Sequence, residues 1–146
     1  MLTAKDRLNH CSLVMQDVNY QLFSDSVQEE ILLGAAHPER CDEVMQALRL
    51  AGLADRHPMS LSGGQKQRVL LARSMCAARE MMLLDEPVTG LDPTATEEFY
   101  ATVKQLHREG LTVVMISHDP EKALSSATHV LHLGQSMLYF GKTDGY

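Results

Sequence analysis

Two stretches of the chain break the usual alternation of apolar and polar residues. MMLLDE at 81–86 is apolar and then acidic, and TVVMIS at 112–117 is an unbroken apolar run. Neither alternates, which predicts strands covered on both faces, as in a parallel sheet with helices on either side. CSLVMQ at 11–16 predicts a third strand, and HVLHL (129–133) and SMLYF (136–140) predict two more joined by a turn at Gly134. Between these runs the period changes to three and four. Ser26 with Glu29 three residues on predicts a capped helix over 27–35. Cys41, Val44, Met45 and Leu48 form one stripe of a second helix that opens after Pro38. A third helix is predicted from Gly63 to about Ala78. A fourth starts at Asp92-Pro93, an N-cap with proline in the first turn, and runs to Gly110 on a face of Phe99, Val103 and Leu106. A short fifth helix follows Asp119-Pro120. The first ten residues, MLTAKDRLNH, predict no element and carry no apolar leader.

Strand, helix, strand, helix, strand from 81 to 133 is an α/β pattern, and the mostly helical stretch 27–78 reads as an insertion before it. Composition narrows the class. With 146 residues, 45% of them hydrophobic and 22% charged, the chain has the balance of a water-soluble domain. The formal net charge of -6 argues against a basic surface for nucleic acid. No apolar run reaches the roughly 18–20 residues of a membrane span. Cys11, Cys41 and Cys76 stand far apart and predict reduced thiols in a cytosolic protein.

Four places can carry chemistry. Ser62-Gly63-Gly64-Gln65 opens a helix, where free first-turn N–H groups and the positive end of the helix dipole can receive a phosphate. An ordinary serine cap with a flexible glycine pair explains the same letters. Asp85-Glu86 ends a strand at the edge where α/β sheets bind ligands. There Asp85 can hold Mg²⁺ and Glu86 can polarise a water, or the pair can be a solvated acidic turn. His118 ends TVVMIS and Gln16 ends CSLVM. Either can face a phosphate, and either can simply be polar where a strand surfaces.

Taken in order, VMQD, LSGGQKQR, MMLLDE, GLDP and SHD resemble the motifs of the nucleotide-binding domain of ABC transporters. The resemblance covers about residues 11–142 and implies a P-loop NTPase (RecA-like) parallel sheet with an inserted helical subdomain. It divides the chain into a strand at 11–18, a helical part with the signature helix at 19–78, and the later α/β core at 79–142. It implies ATP and Mg²⁺ as cofactors, with Asp85 and Gln16 on the metal and Glu86 as the base. It also implies His118 on the γ-phosphate, Asp92 in communication across a dimer, and Ser62, Gly63, Gly64 and Gln65 over the phosphate of a partner domain. The partners implied are a second nucleotide-binding domain and transmembrane subunits, at the inner face of the membrane, with no nucleic acid. LVMQDVNYQLFSDSVQEEILLG and DRHPMSLSGGQKQRV resemble energy-coupling-factor ATPases. The stretch from GLDPTATEEFYATVKQLHREG to HVLHLGQSMLYFG is more similar to zinc or manganese uptake ATPases.

One expected motif is missing. The 146 residues contain no GxxxxGK[ST]. Gly141-Lys142-Thr143 has serine where the first glycine should stand and three residues after it, so no helix follows to face a phosphate. Lacking that cradle, the chain is expected to be an ATPase part that by itself binds ATP weakly or not at all and hydrolyses it negligibly. The alternative is a non-hydrolysing module that lends LSGGQ to a complete partner.

Overall fold

The computed structural model describes residues 3–77 and 80–146. The elements run α1 (Ala4–His10), β1 (Cys11–Val14), α2 (Val27–Leu32), α3 (Cys41–Ala47), α4 (Gly63–Cys76), β2 (Met81–Asp85), α5 (Pro93–Arg108), β3 (Thr112–Ile116), α6 (Pro120–Ser126), β4 (His129–Leu133) and β5 (Met137–Lys142). Two compact units divide them, Met1–Ile116 and Ser117–Tyr146.

In the first unit β1, β2 and β3 form a parallel sheet with β2 in the middle. The register places Val14, Leu84 and Met115 side by side on one face, and Leu13, Leu83 and Val114 on the other. The first face is core: Val14, Met82 and Leu84 are buried in one cluster with Leu70 and Leu71 of α4 and Phe99 and Val103 of α5. The second face is open, with Leu13 50%, Val114 47% and Ile116 58% exposed. The expectation of strands covered on both faces is therefore corrected. Within these residues α4 and α5 supply a single apolar layer, and alternate residues of each strand must then point away from it.

The helical part packs on α4. Val27 and Ile31 of α2 and Cys41, Val44 and Met45 of α3 are all buried. The second predicted helix is broken into a 3₁₀ turn at Pro38–Arg40, α3, and another 3₁₀ turn at Ala51–Leu53. Arg49, at φ 58°, turns the chain between α3 and the last of these. The N-terminal helix α1 was not expected. Its signal is Thr3 with Asp6, whose side chains and backbone N–H groups cap one another at 2.9 and 3.2 Å. The Thr3 hydroxyl holds the Asp6 carboxyl below the usual carboxylate range. Ala78, the expected end of the signature helix, lies outside the described residues.

Cys41 and Cys76 join α3 to the end of α4, both buried and both free. Burial first, and the neighbouring Cys41 thiol second, push the Cys76 thiol up to about 12. The thiolate is the reactive form, so at pH 8 only about one Cys76 in ten thousand is nucleophilic. Native protein is expected to leave Cys76 unmodified by iodoacetamide at pH 8 and to release it on unfolding in urea. Peptide mapping that finds Cys76 alkylated before unfolding would contradict this. The linked effect has a sign too. A thiol raised above its unfolded value of 9.0 adds stability that is complete below pH 9 and disappears as pH climbs toward 12.

In the second unit β4 and β5 pair antiparallel, with Leu131 opposite Phe140 and Leu133 opposite Met137. These side chains are exposed, from 54% for Leu131 to 67% for Phe140. The Tyr146 hydroxyl lies 2.6 Å from His132 Nδ1 and its ring meets Tyr139 edge-on.

Candidate nucleotide-facing site

Because the three strands are parallel, their carboxyl ends share one edge. Gln16 lies just past β1, Asp85 ends β2 and Glu86 follows it. Asp85 is half-buried, opposite Ile116 in the ladder. Glu86 is 9% exposed and adopts φ 45°. That left-handed conformation costs an ordinary residue roughly 1 kcal/mol or more. It is held from both sides: the Glu86 N–H donates to the Ile116 carbonyl at 3.0 Å, and the Glu86 carbonyl accepts from Thr89 at 3.3 Å. Asp85 closes the strand and Glu86 opens the loop, so the two carboxylates stand on different elements. Gly90, at φ 79°, then turns the loop back toward Asp92.

Ser62 caps α4 in a reciprocal box. Its hydroxyl accepts the Gln65 N–H at 3.3 Å, and Gln65 Oε1 accepts the Ser62 N–H at 3.0 Å. A helix start leaves the N–H groups of Gly63 and Gly64 without intrahelical acceptors, and Ser62 and Gly63 are exposed. The two glycines also have a packing reason that sequence alone did not reveal. A Cβ on Gly63 would sit 3.3 Å from Leu91, and one on Gly64 would sit 3.2 Å from the Ala95 methyl. The loop at 88–91 and the start of α5 therefore lie directly on the first turn of α4. Asp92 caps α5, its Oδ1 accepting from Ala95 at 2.8 Å. His118 belongs to the second unit, where it precedes Asp119, the N-cap of α6. Gly141 and Lys142 of the Gly-Lys-Thr triplet close β5, Thr143 opens a 3₁₀ turn, and its hydroxyl donates to the Ala127 carbonyl at 3.2 Å.

Gln16, Asp17, Asn19, Gly63, Gln67 and Thr89 line a cleft of about 350 Å³ in the first unit. Gln67, 3% exposed, stands against this cleft, and its buried Oε1 has no hydrogen-bond partner among the described residues. The first turn at Ser62–Gly63 is exposed and can offer its N–H groups to an anion. Among the described residues no three His, Cys, Asp or Glu side chains converge on a metal position. Asp85 and Gln16 can give Mg²⁺ two oxygens. That fits an ion bound mainly through water and nucleotide phosphate, and it does not fit a metal held by this chain alone.

Sequence reasoning missed Gln21, Glu30 and Arg73. Glu30 is wholly buried and accepts the N–H groups of Phe23 at 2.8 Å and Ser24 at 2.7 Å, together with a charge-assisted bond from Arg73. The signal was present: Val27, Glu30 and Ile31 share one stripe of α2, so a carboxylate occupies a core-facing position and requires a cation.

The ABC transporter family model matches residues 2–89, more than half of the chain. The chain belongs to the ABC transporter family. An ABC transporter ATP-binding protein of Treponema denticola is 42% identical over 134 residues, covering 90% of this chain and 27% of that protein. The energy-coupling factor transporter ATP-binding protein EcfA2 of Clostridium tetani is 35% identical over 139 residues, 86% of this chain and 48% of the relative. Among solved structures, cbiO1 of Clostridium perfringens, part of the ABC transporter complex cbiONQ, superposes with a TM-score of 0.88 at 26% identity. That match covers 98% of this chain and 62% of the other. An inward-facing metal-chelate type ABC transporter superposes at 0.81 and 29% identity, covering 92% of this chain and 59% of the other. The fold is thus that of ABC ATPase domains, the P-loop NTPase fold. The ABC transporter chain described here spans about half the length of its EcfA2 relative.

Proposed function

We propose that this chain is the water-activating and lid-bearing part of an ATPase subunit that powers import of a metal ion or small cofactor. The carrying observation is that Gln16, Asp85 and Glu86 lie at one sheet edge while Ser62 and Gly63 present an exposed, capped helix start. Glu86 takes the proton of the attacking water, held near the phosphate by the strained turn that follows β2. Asp85 and Gln16 orient the waters and oxygens around Mg²⁺, which when bound neutralises phosphate charge. His118 contacts the γ-phosphate and Asp92 relays dimer contacts. Ser62, Gly63, Gly64 and Gln65 cover the nucleotide of a second nucleotide-binding domain. The division at 11–18, 19–78 and 79–142 follows these roles, with the helical part facing transmembrane subunits at the inner face of the membrane. No helix among the described residues is long and apolar enough to cross a membrane. A transport role is supported by the energy-coupling factor transporter relatives, and the cargo class by the likeness to the metal-chelate type transporter.

These residues contain no GxxxxGK[ST], so ATP is expected to bind the chain by itself no better than millimolar, a loss of about 4 kcal/mol against a micromolar site. Co-expression with a P-loop-bearing N-terminal portion of such a domain, followed by nucleotide titration and phosphate release, is expected to restore both. Micromolar ATP affinity of the lone chain, lost in Asp85→Asn, would defeat the proposal. The second reading, a module that only lends LSGGQ, is supported by the exposure of Ser62 and Gly63.

A further inference from the structure

The segment that follows Gln16 is fastened to α4 at two points. Lys66 Nζ donates to Asn19 Oδ1 at 2.8 Å, and Arg73 donates to the Gln21 carbonyl at 2.8 Å. Lys66 and Arg73 are two helical turns apart, so they stand on one stripe of α4. The 3₁₀ turn Val18–Gln21 packs on α4, with Val18 and Leu22 buried. Arg73 is itself fixed by the buried Glu30 carboxylate, which also holds the Phe23 and Ser24 N–H groups.

Gln21 then reaches back to the first strand. Its Oε1 accepts the Met15 N–H at 2.7 Å and its Nε2 donates to the Leu13 carbonyl at 2.7 Å. Only one orientation of that amide satisfies both partners, so its placement is determined by chemistry. The side chain acts as a short extra strand that closes the ladder immediately before Gln16. The connections therefore run without a gap from the strand end, through Gln21 and the 3₁₀ turn, to two stations on the helix that begins at Ser62. Gln21, Lys66 and Arg73 are not among the residues that line the cleft beside Gln16 and Gly63.

We propose that Gln21, Lys66 and Arg73 are positioning residues that make Gln16 and the LSGGQ-bearing helix one mechanical unit, so that a displacement of either is carried to the other. The significance of the linkage rests on the role proposed for Gln16. Its existence does not, because it is measurable without nucleotide.

The test is amide hydrogen exchange by NMR on the full chain, comparing the wild type with Lys66→Ala, Lys66→Arg and Arg73→Lys. Met15 touches neither Lys66 nor Arg73 directly, so its amide reports transmission through Gln21. Exchange at Met15 is expected to speed up about tenfold in Lys66→Ala and in Arg73→Lys, while Leu71 in α4 and Leu84 in β2 stay within about twofold. Lys66→Arg, which keeps a donor for Asn19, is expected to restore protection. Lys66 loses only a solvent-facing contact, so Lys66→Ala keeps the test alive if Arg73→Lys fails to fold. A local effect at Met15 in either variant supports the linkage. Unchanged exchange at Met15 in the folded variants, or acceleration shared equally by Leu71 and Leu84, overturns it. In either case the ATPase reading stands or falls on the phosphate-release assay.

Discussion

Arg73→Met is expected to lower folding stability by about 3–5 kcal/mol, the loss seen when one member of a buried ion pair is removed. Glu30 has no exposure to water, and Arg73 is the cation bonded to it. Methionine preserves much of the volume, so packing contributes little, and the deficit comes from a carboxylate left with two backbone N–H groups and no counter-charge. Urea titration followed by circular dichroism gives the number. Lys66→Ala, which removes an exposed hydrogen bond to Asn19, is expected to lose less than about 1 kcal/mol. The double variant Glu30→Met with Arg73→Met is expected to recover part of the deficit, because two apolar side chains replace two charges. It recovers only part, because the Phe23 and Ser24 N–H groups lose their acceptor. A single-variant loss below about 1 kcal/mol would mean that water reaches Glu30.

The second large effect concerns turnover in the completed cassette. Glu86→Gln is expected to cut phosphate release by at least about a hundredfold, the usual contribution of a positioned general base, with nucleotide affinity changed less than about threefold. Glutamine keeps the length and the left-handed backbone but cannot take a proton. Ser62→Arg is expected to stop turnover by a different route, placing a bulky cation on the exposed helix start. The two variants separate the two functional readings. If Ser62→Arg silences the assembly while Glu86→Gln leaves it at full rate, the chain lends its lid to another subunit and performs no chemistry of its own.

The elements carrying motifs were legible in the chain because local chemistry specified them. Ser62 with Gln65 and Asp92 with Pro93 mark the starts of α4 and α5 without tertiary help. The stripe Phe99, Val103, Leu106 names the buried side of α5. The open sheet face was not legible. Leu13, Val114 and Ile116 are as apolar as the buried Val14 and Leu84, and hydrophobicity alone cannot say which face receives a covering layer. The role of the two glycines was half legible. Their letters suggested access for an anion, whereas Leu91 and Ala95 show that they also admit the side chains of a neighbouring loop and helix. Glu30 and Arg73 escaped because each looks like a surface residue until the apolar stripe around it is traced. Gln21 escaped because its two bonds reach a strand eight residues back, and no spacing rule connects a 3₁₀ turn to the end of a preceding strand.

The left-handed turn at Glu86 has an evolutionary consequence. Glycine or asparagine would sit more comfortably in that conformation, and either would remove the carboxylate. A lineage relieved of the duty to cleave phosphate bonds should drift toward those residues. Surveying which residue occupies this position in descendants would separate working engines from retired ones.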